Sequence, residues 1–196
     1  PRRAVEEMAR YMEMEAYGGP ASPPVLGQVR DTAQRTREAV SELLSCSADE
    51  VLLTQNTTEG LNVVMSGFPW KPGDEIVTCS LEHPSVMVPC RYHERKDGVK
   101  VRVAQIDPMD DSQTILSKLD ALVTPKTRLL ALSHTQFSCG LRMPAREINR
   151  MAHEKGALVL WDGAQTAGQI YLNMRELDCD FYATPGHKWV LGPDGT

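Results

Sequence analysis

Two rhythms of apolar residues run along the chain, and one gives way to the other near Glu50. Before that point Ala4-Val5, Met8, Tyr11-Met12 and Ala16 recur at the ~3.6-residue spacing of one helix face, predicting a helix over residues 2–16. Gly18-Gly19-Pro20-Ala21-Ser22-Pro23-Pro24 interrupts it, because clustered Gly and Pro favour loops over helices. A second helix is predicted over about 25–45, with Val25-Leu26, Val29, Ala33, Val40 and Leu43-Leu44 on its apolar side. Beyond Glu50, short apolar runs alternate with helical stretches. Strands are predicted at Val51–Leu53, Glu75–Thr78, Lys100–Gln105, Arg128–Ser133, Ala157–Trp161 and Asp180–Ala183, with helices at about 58–68, 84–96, 113–122 and 144–155.

Several boundaries have an evident cause. Pro144 suits a helix start, where its missing N–H would be unpaired in any case. Gly156 suits the position just past that helix, where a left-handed backbone is cheap only for glycine. Asp111-Ser112 supplies capping oxygens for the helix near 113. Strands alternating with helices imply an α/β fold, a mostly parallel sheet flanked by helices on both faces. The change of rhythm divides the chain into an N-terminal helical segment, 1–48, and an α/β domain, 49–196.

Composition removes several classes of function. A net charge of -5 spread along the chain argues against nucleic acid as a partner, which usually needs a basic stripe. No apolar run approaches the ~20 residues that span a bilayer, so no membrane partner is expected. The five cysteines, Cys46, Cys79, Cys90, Cys139 and Cys179, are odd in number and include no CxxC pair. They predict reduced, buried thiols of a cytoplasmic protein, with neither a disulfide framework nor a metal site. The chain opens at Pro1 without an initiator Met and stops on the turn-like run Leu191–Thr196, which reads as a piece of something longer.

In open α/β sheets, ligands collect at the carboxyl ends of the strands, and the chemically able residues of this chain fall there. The run after Leu53 delivers Thr57 and Thr58 at a helix start, where free N–H groups and the helix dipole suit a phosphate dianion. The competing reading is that either threonine merely caps the helix. His83 follows the strand Glu75–Thr78 and precedes Pro84. Such a histidine could lie flat on a cofactor ring, or serve only as a capping residue. The segment His134–Gly140 is expected to form another wall of the crevice. Asp162 ends the strand Ala157–Trp161, with Gln165 three residues on, and His187-Lys188 follows the last strand before apolar Trp189-Val190-Leu191. A lysine amine, a carboxylate at a strand end and a nearby amide suit pyridoxal 5'-phosphate. The lysine would carry the cofactor covalently, and the carboxylate would keep the pyridine nitrogen protonated.

Taken in order, Asn56-Thr57-Thr58-Glu59-Gly60, Glu82-His83, Trp161-Asp162-Gly163-Ala164-Gln165-Thr166-Ala167-Gly168 and Gly186-His187-Lys188-Trp189 with Gly192-Pro193 resemble the class V aminotransferase family of pyridoxal phosphate enzymes. The family includes cysteine desulfurases, cysteine/cystine lyases and isopenicillin-epimerase-like proteins, and the resemblance spans nearly the whole chain. It implies the large domain of an aspartate-aminotransferase-like fold, incomplete at its C-terminal end and lacking the small domain. It also implies that Lys188 anchors the cofactor and later moves the Cα proton, with Asp162 on the ring nitrogen and Gln165 on the ring hydroxyl. His83 would stack on the ring, and Thr57, Thr58 and His187 would hold the phosphate. Lys188, His83 and Asp162 form the implied catalytic set. A small amino-acid substrate and a homodimer follow from the same resemblance.

Two positions depart from the family pattern. Phe137 stands where desulfurases usually carry an Asn that touches the ring hydroxyl, and Pro185 stands where a Ser or Thr usually contacts phosphate. Family members also continue for about as long again, with an arginine that grips the substrate carboxylate and, in desulfurases, a loop cysteine that takes sulfur. None of the five cysteines occupies that place. The expected activity is therefore of the cysteine desulfurase or cysteine/cystine lyase type, inactive in this piece alone. The alternative is a non-catalytic partial or degenerate paralogue acting as a scaffold. A nucleotide-binding Rossmann module is disfavoured, because no G-x-G-x-x-G follows the first strand.

Overall fold

A computed structural model describes residues 1–196. Helix α1 (Arg2–Gly18) and helix α2 (Pro23–Leu44) come first, followed by a short 3-10 turn at Ala48–Glu50. After them run α3 (Thr57–Gly67), β1 (Glu75–Cys79), α4 (Pro84–Lys96), β2 (Lys100–Ala104), α5 (Ser112–Asp120), β3 (Thr127–Ser133), α6 (Ala145–Glu154), β4 (Leu158–Asp162), α7 (Met174–Leu177) and β5 (Phe181–Ala183). The strands form one sheet in the order β2-β1-β3-β4-β5, and every pairing is parallel. The expected α/β fold is the one observed. No helix is long and apolar enough to cross a membrane.

Strand alternation divides the core into two layers, as successive side chains point to opposite faces. Val77, Leu130, Leu132, Val159 and Trp161 face α5 and α6 and pack with Ile115, Leu119, Ile148 and Met151. Ile76, Leu129, Ala131 and Leu160 face the other way, against Leu61 and Met65 of α3 and Val86 and Cys90 of α4. Trp161 is fully buried, and its indole N–H donates to Asn149 Oδ1 at 2.8 Å, so the largest core side chain leaves no stranded donor. Gly156 ends α6 with φ +76°, the conformation expected of it.

The structure departs from the sequence reading at four points. Val51–Leu53 is not a strand. The sheet order β2-β1-β3-β4-β5 leaves it out, and Leu52 and Leu53 are exposed. Val51 instead closes a turn, its N–H reaching the Ala48 carbonyl at 3.2 Å and its own carbonyl accepting from Arg37 at 3.3 Å. Helix α3 is capped by Asn56, whose Oδ1 accepts from the Glu59 N–H at 2.9 Å, and not by Thr57 or Thr58. Helix α7 was not expected, because four residues show no helical period. It forms because Asn173 Oδ1 accepts from the N–H groups of both Arg175 and Glu176. The thiols are free, and only Cys79 and Cys90 are buried, while Cys139 is exposed. Burial pushes Cys90 up to about 12 and raises Cys79 too, so neither is a ready nucleophile.

Candidate active site

The strand order reverses direction between β1 and β3, which opens a crevice beyond their carboxyl ends. Thr57, Thr58 and His83 line one polar cleft there, together with Asp162, Gln165, His187 and Lys188. These residues come from four places in the sequence. Thr57 and Thr58 are the first residues of α3, His83 precedes α4, Asp162 ends β4, and His187-Lys188 follow β5.

The α3 end of the cleft has the properties of an anion site. Asn56 takes the Glu59 N–H with its side chain and the Gly60 N–H with its carbonyl, leaving the first two N–H groups of the helix free of protein acceptors. Thr57 is buried at 7% exposure, yet its hydroxyl has no hydrogen-bond partner. A buried hydroxyl without a partner costs free energy, and this one lines the cleft, where an anion would satisfy it. Thr58 Oγ1 lies 2.7 Å from Ser85 Oγ.

At the β4 end, Asp162 is 5% exposed, and its Oδ1 accepts from the Ala164 N–H at 2.9 Å. Burial pushes its carboxyl above the usual range. The Ala164 N–H, the Lys188 amine and the His83 ring each pull it back. A carboxylate that is costly to ionise alone is well suited to a cationic N–H in the cleft. The β4 carbonyl of Asp162 accepts from the His134 N–H at 2.9 Å, which fixes the strand end beneath it. Gly163 follows because no other residue fits: a Cβ there would fall onto the Tyr182 ring.

His83 is both cleft wall and helix cap. Its Nδ1 accepts from the Ser85 N–H at 3.1 Å, and Phe137 meets the ring edge-on with centroids 4.9 Å apart. Gln165 Oε1 accepts from the Trp189 indole at 2.9 Å, which leaves the amide N–H groups as donors toward a ligand oxygen. His187 also lines the cleft, with its Nδ1 3.0 Å from the Thr196 carbonyl. Pro185 lines the cleft without a donor, and the neighbouring Thr184 hydroxyl turns away to the Gly163 carbonyl at 3.4 Å.

Residues outside the sequence-derived set also belong here. Ser85 and Ser133 line the cleft, and the buried carboxylate of Glu82 lies behind it. Ser85 was legible as the second residue of a Pro-started helix directly after His83. Ser133 became a cleft residue only through the pairing of β3 with β4, whereas Thr135 and Phe137 line the cleft from the segment His134–Gly140 that was expected to form its wall.

The family model for "Aminotransferase class-V" matches residues 1–196. A probable cysteine desulfurase of Methanothermobacter thermautotrophicus is 35% identical over 198 residues, covering 100% of this chain and 48% of the relative. The solved structure of a lysine-to-alanine mutant of C-DES, with glycine covalently linked to the PLP cofactor, superposes with a TM-score of 0.93 at 29% identity. It covers all of this chain and 52% of that one. The complex of the cystine C-S lyase C-DES with its reaction product, cysteine persulfide, gives 0.92 at 29% identity, again over 100% and 52%. The chain thus spans about half the length of these relatives.

Proposed function

Because this chain belongs to the class-V aminotransferase family, we propose that it is the pyridoxal phosphate-binding half of an enzyme acting on a small sulfur-containing amino acid, of the cysteine desulfurase or cysteine/cystine lyase type. The observation that carries the proposal is the convergence of Lys188, Asp162 and His83 on one cleft whose far end is the free N-terminus of α3. Its residues fit the cofactor. The unpartnered Thr57 hydroxyl suits the phosphate, and the buried Asp162 carboxyl suits the ring N–H.

Under this reading Thr57, Thr58 and His187 would hold the phosphate, Asp162 would pair with the pyridine nitrogen, Gln165 would donate to the ring hydroxyl and His83 would cover one face. Lys188 would hold the cofactor covalently, and its amine would move the proton at the substrate Cα. When bound, the cofactor supplies an electron-accepting ring that stabilises negative charge at the substrate carbon. Asp162 serves that chemistry by keeping a proton on the ring nitrogen, and His83 excludes water from the face it covers. Residues 1–48 form the helical segment and 49–196 the cofactor-binding domain of this proposed enzyme, a cytoplasmic homodimer.

The test is covalent. The full chain is incubated with pyridoxal phosphate and reduced with borohydride, and its peptides are then mapped by mass spectrometry. The expected result is a single adduct on Lys188 that is lost in Lys188→Ala. An adduct on another lysine, or none, overturns the reading.

A further inference from the structure

The Ser85 hydroxyl lies between two cleft residues from different helices, 2.9 Å from His83 Nδ1 and 2.7 Å from Thr58 Oγ1. We propose that Ser85 is a positioning residue whose hydroxyl joins His83 to Thr58, coupling the imidazole to an anion held at the start of α3. The inference rests on the proposed anion site and adds a residue to it.

The direction of each hydrogen bond follows from the cap. The backbone N–H of Ser85 can only donate, and it donates to His83 Nδ1, so in the neutral ring that nitrogen is an acceptor and the proton sits on Nε2. The Ser85 hydroxyl beside the same nitrogen must then donate as well. Thr58, 2.7 Å away, is left to donate to Ser85. Donors therefore run from Thr58 through Ser85 to His83. In that order the Thr58 proton is committed and cannot serve an anion.

An anion that accepts the Thr58 proton reverses the order. Ser85 then donates to Thr58 and offers its lone pairs to His83. This arrangement favours an Nδ1–H that donates to Ser85, with the backbone cap given up. Anion binding at Thr58 and a proton on His83 Nδ1 thus assist each other through one hydroxyl, and a ring that already holds Nε2–H gains that proton as the imidazolium. Other charges reach the ring and act without Ser85. Asp162 and Lys188 share the cleft from β4 and the segment after β5, and His187 stands beside Lys188. Glu82, the preceding residue, is turned to Ser133, and Glu59 on α3 is turned to the Gln55 N–H. Phe137 is the uncharged neighbour of the ring.

The experiment separates the relayed part from the direct charge effect. Sulfate serves as the probe because it does not titrate over the range of interest. The full chain, labelled with 15N-histidine and 15N-threonine, is titrated with and without saturating sulfate, and His83 is assigned from His83→Gln. Sulfate is expected to move the His83 midpoint upward in the wild type. That shift should fall by roughly half or more in Ser85→Ala and Ser85→Gly, and return in Ser85→Thr, by the reciprocity of linked sites. Equal shifts in wild type and Ser85→Ala overturn the coupling. If sulfate moves neither His83 nor the Thr57 and Thr58 amides of the wild type, the anion site itself is wrong, and the inference falls with it.

Discussion

The Glu82 carboxylate accepts both the backbone N–H of Ser133, at 3.0 Å, and its hydroxyl, at 2.6 Å, and so ties the end of β1 to the end of β3 from inside the protein. Cys79 and Gln136 donate to the same carboxylate, which has no cationic partner. The contact closes the crevice floor at the point where strand order reverses. It also links the two neighbours His83 and Phe137, because each follows one of the tied segments within a few residues.

Burial raises the Glu82 carboxyl above its ordinary range, against the pull of Ser133, Cys79 and Gln136. The native state therefore holds that proton more tightly than the unfolded chain. The stability it contributes is present at low pH and lost as pH rises through the raised folded value. Glu82→Gln is expected to flatten this decline, while costing about 1–3 kcal/mol near neutrality because an amide N–H then faces the Ser133 N–H. Urea unfolding of both proteins across the acidic-to-neutral range checks it, and an unchanged slope with pH would contradict the assignment.

His134 responds to acid in the opposite sense. It is buried between Trp161 and the Tyr182 hydroxyl, and burial first, then Arg142, brings it down to about 4. The unfolded chain takes up this proton near the ordinary histidine value while the native state refuses it. Stability falls as pH drops from about 6.5 to about 4, by up to roughly 3 kcal/mol. His134→Gln should remove that part of the acid sensitivity. Histidine NMR offers a second check, since a His134 resonance titrating near 6.5 would refute it.

Thr57→Val separates binding from folding. The lost hydroxyl has no partner in the protein, so stability should hold or rise by about 1 kcal/mol. Affinity for pyridoxal phosphate should nevertheless fall about tenfold, equivalent to one good hydrogen bond. Thermal unfolding of the chain alone and equilibrium cofactor binding are the two measurements. A stability loss with unchanged affinity would reverse the assignment.

Gly163→Ala should cost about 1–3 kcal/mol or more, because the new methyl group overlaps the Tyr182 ring between β4 and β5. Tyr182→Phe should not rescue it, since ring carbons as well as the hydroxyl meet the added atom. Tyr182→Ala should rescue part of it. A double-mutant cycle on unfolding free energy measures this, and simple additivity would show that the ring is not the obstacle.

The local rhythm of the chain was enough to set the existence and order of β1 to β5 and of the longer helices, because pleat and helix periods are fixed by neighbours in sequence. The same rhythm misplaced Val51–Leu53, where an apolar run has no strand to pair with, and missed α7, where a cap rather than a period makes the helix. Thr57, His83 and Asp162 were legible as candidates since each stands at an element boundary.

By itself, then, the sequence determined which residues could do chemistry and roughly which strand or helix end carries each. Tertiary structure alone decided which of them meet. Thr58 and Ser85 are 27 residues apart, and Glu82 and Ser133 are 51 apart. Their contacts exist because β1 pairs with both β2 and β3 while α3 and α4 share one face of the sheet. Strand order is a matter of long-range pairing and burial, and no period along the chain encodes it.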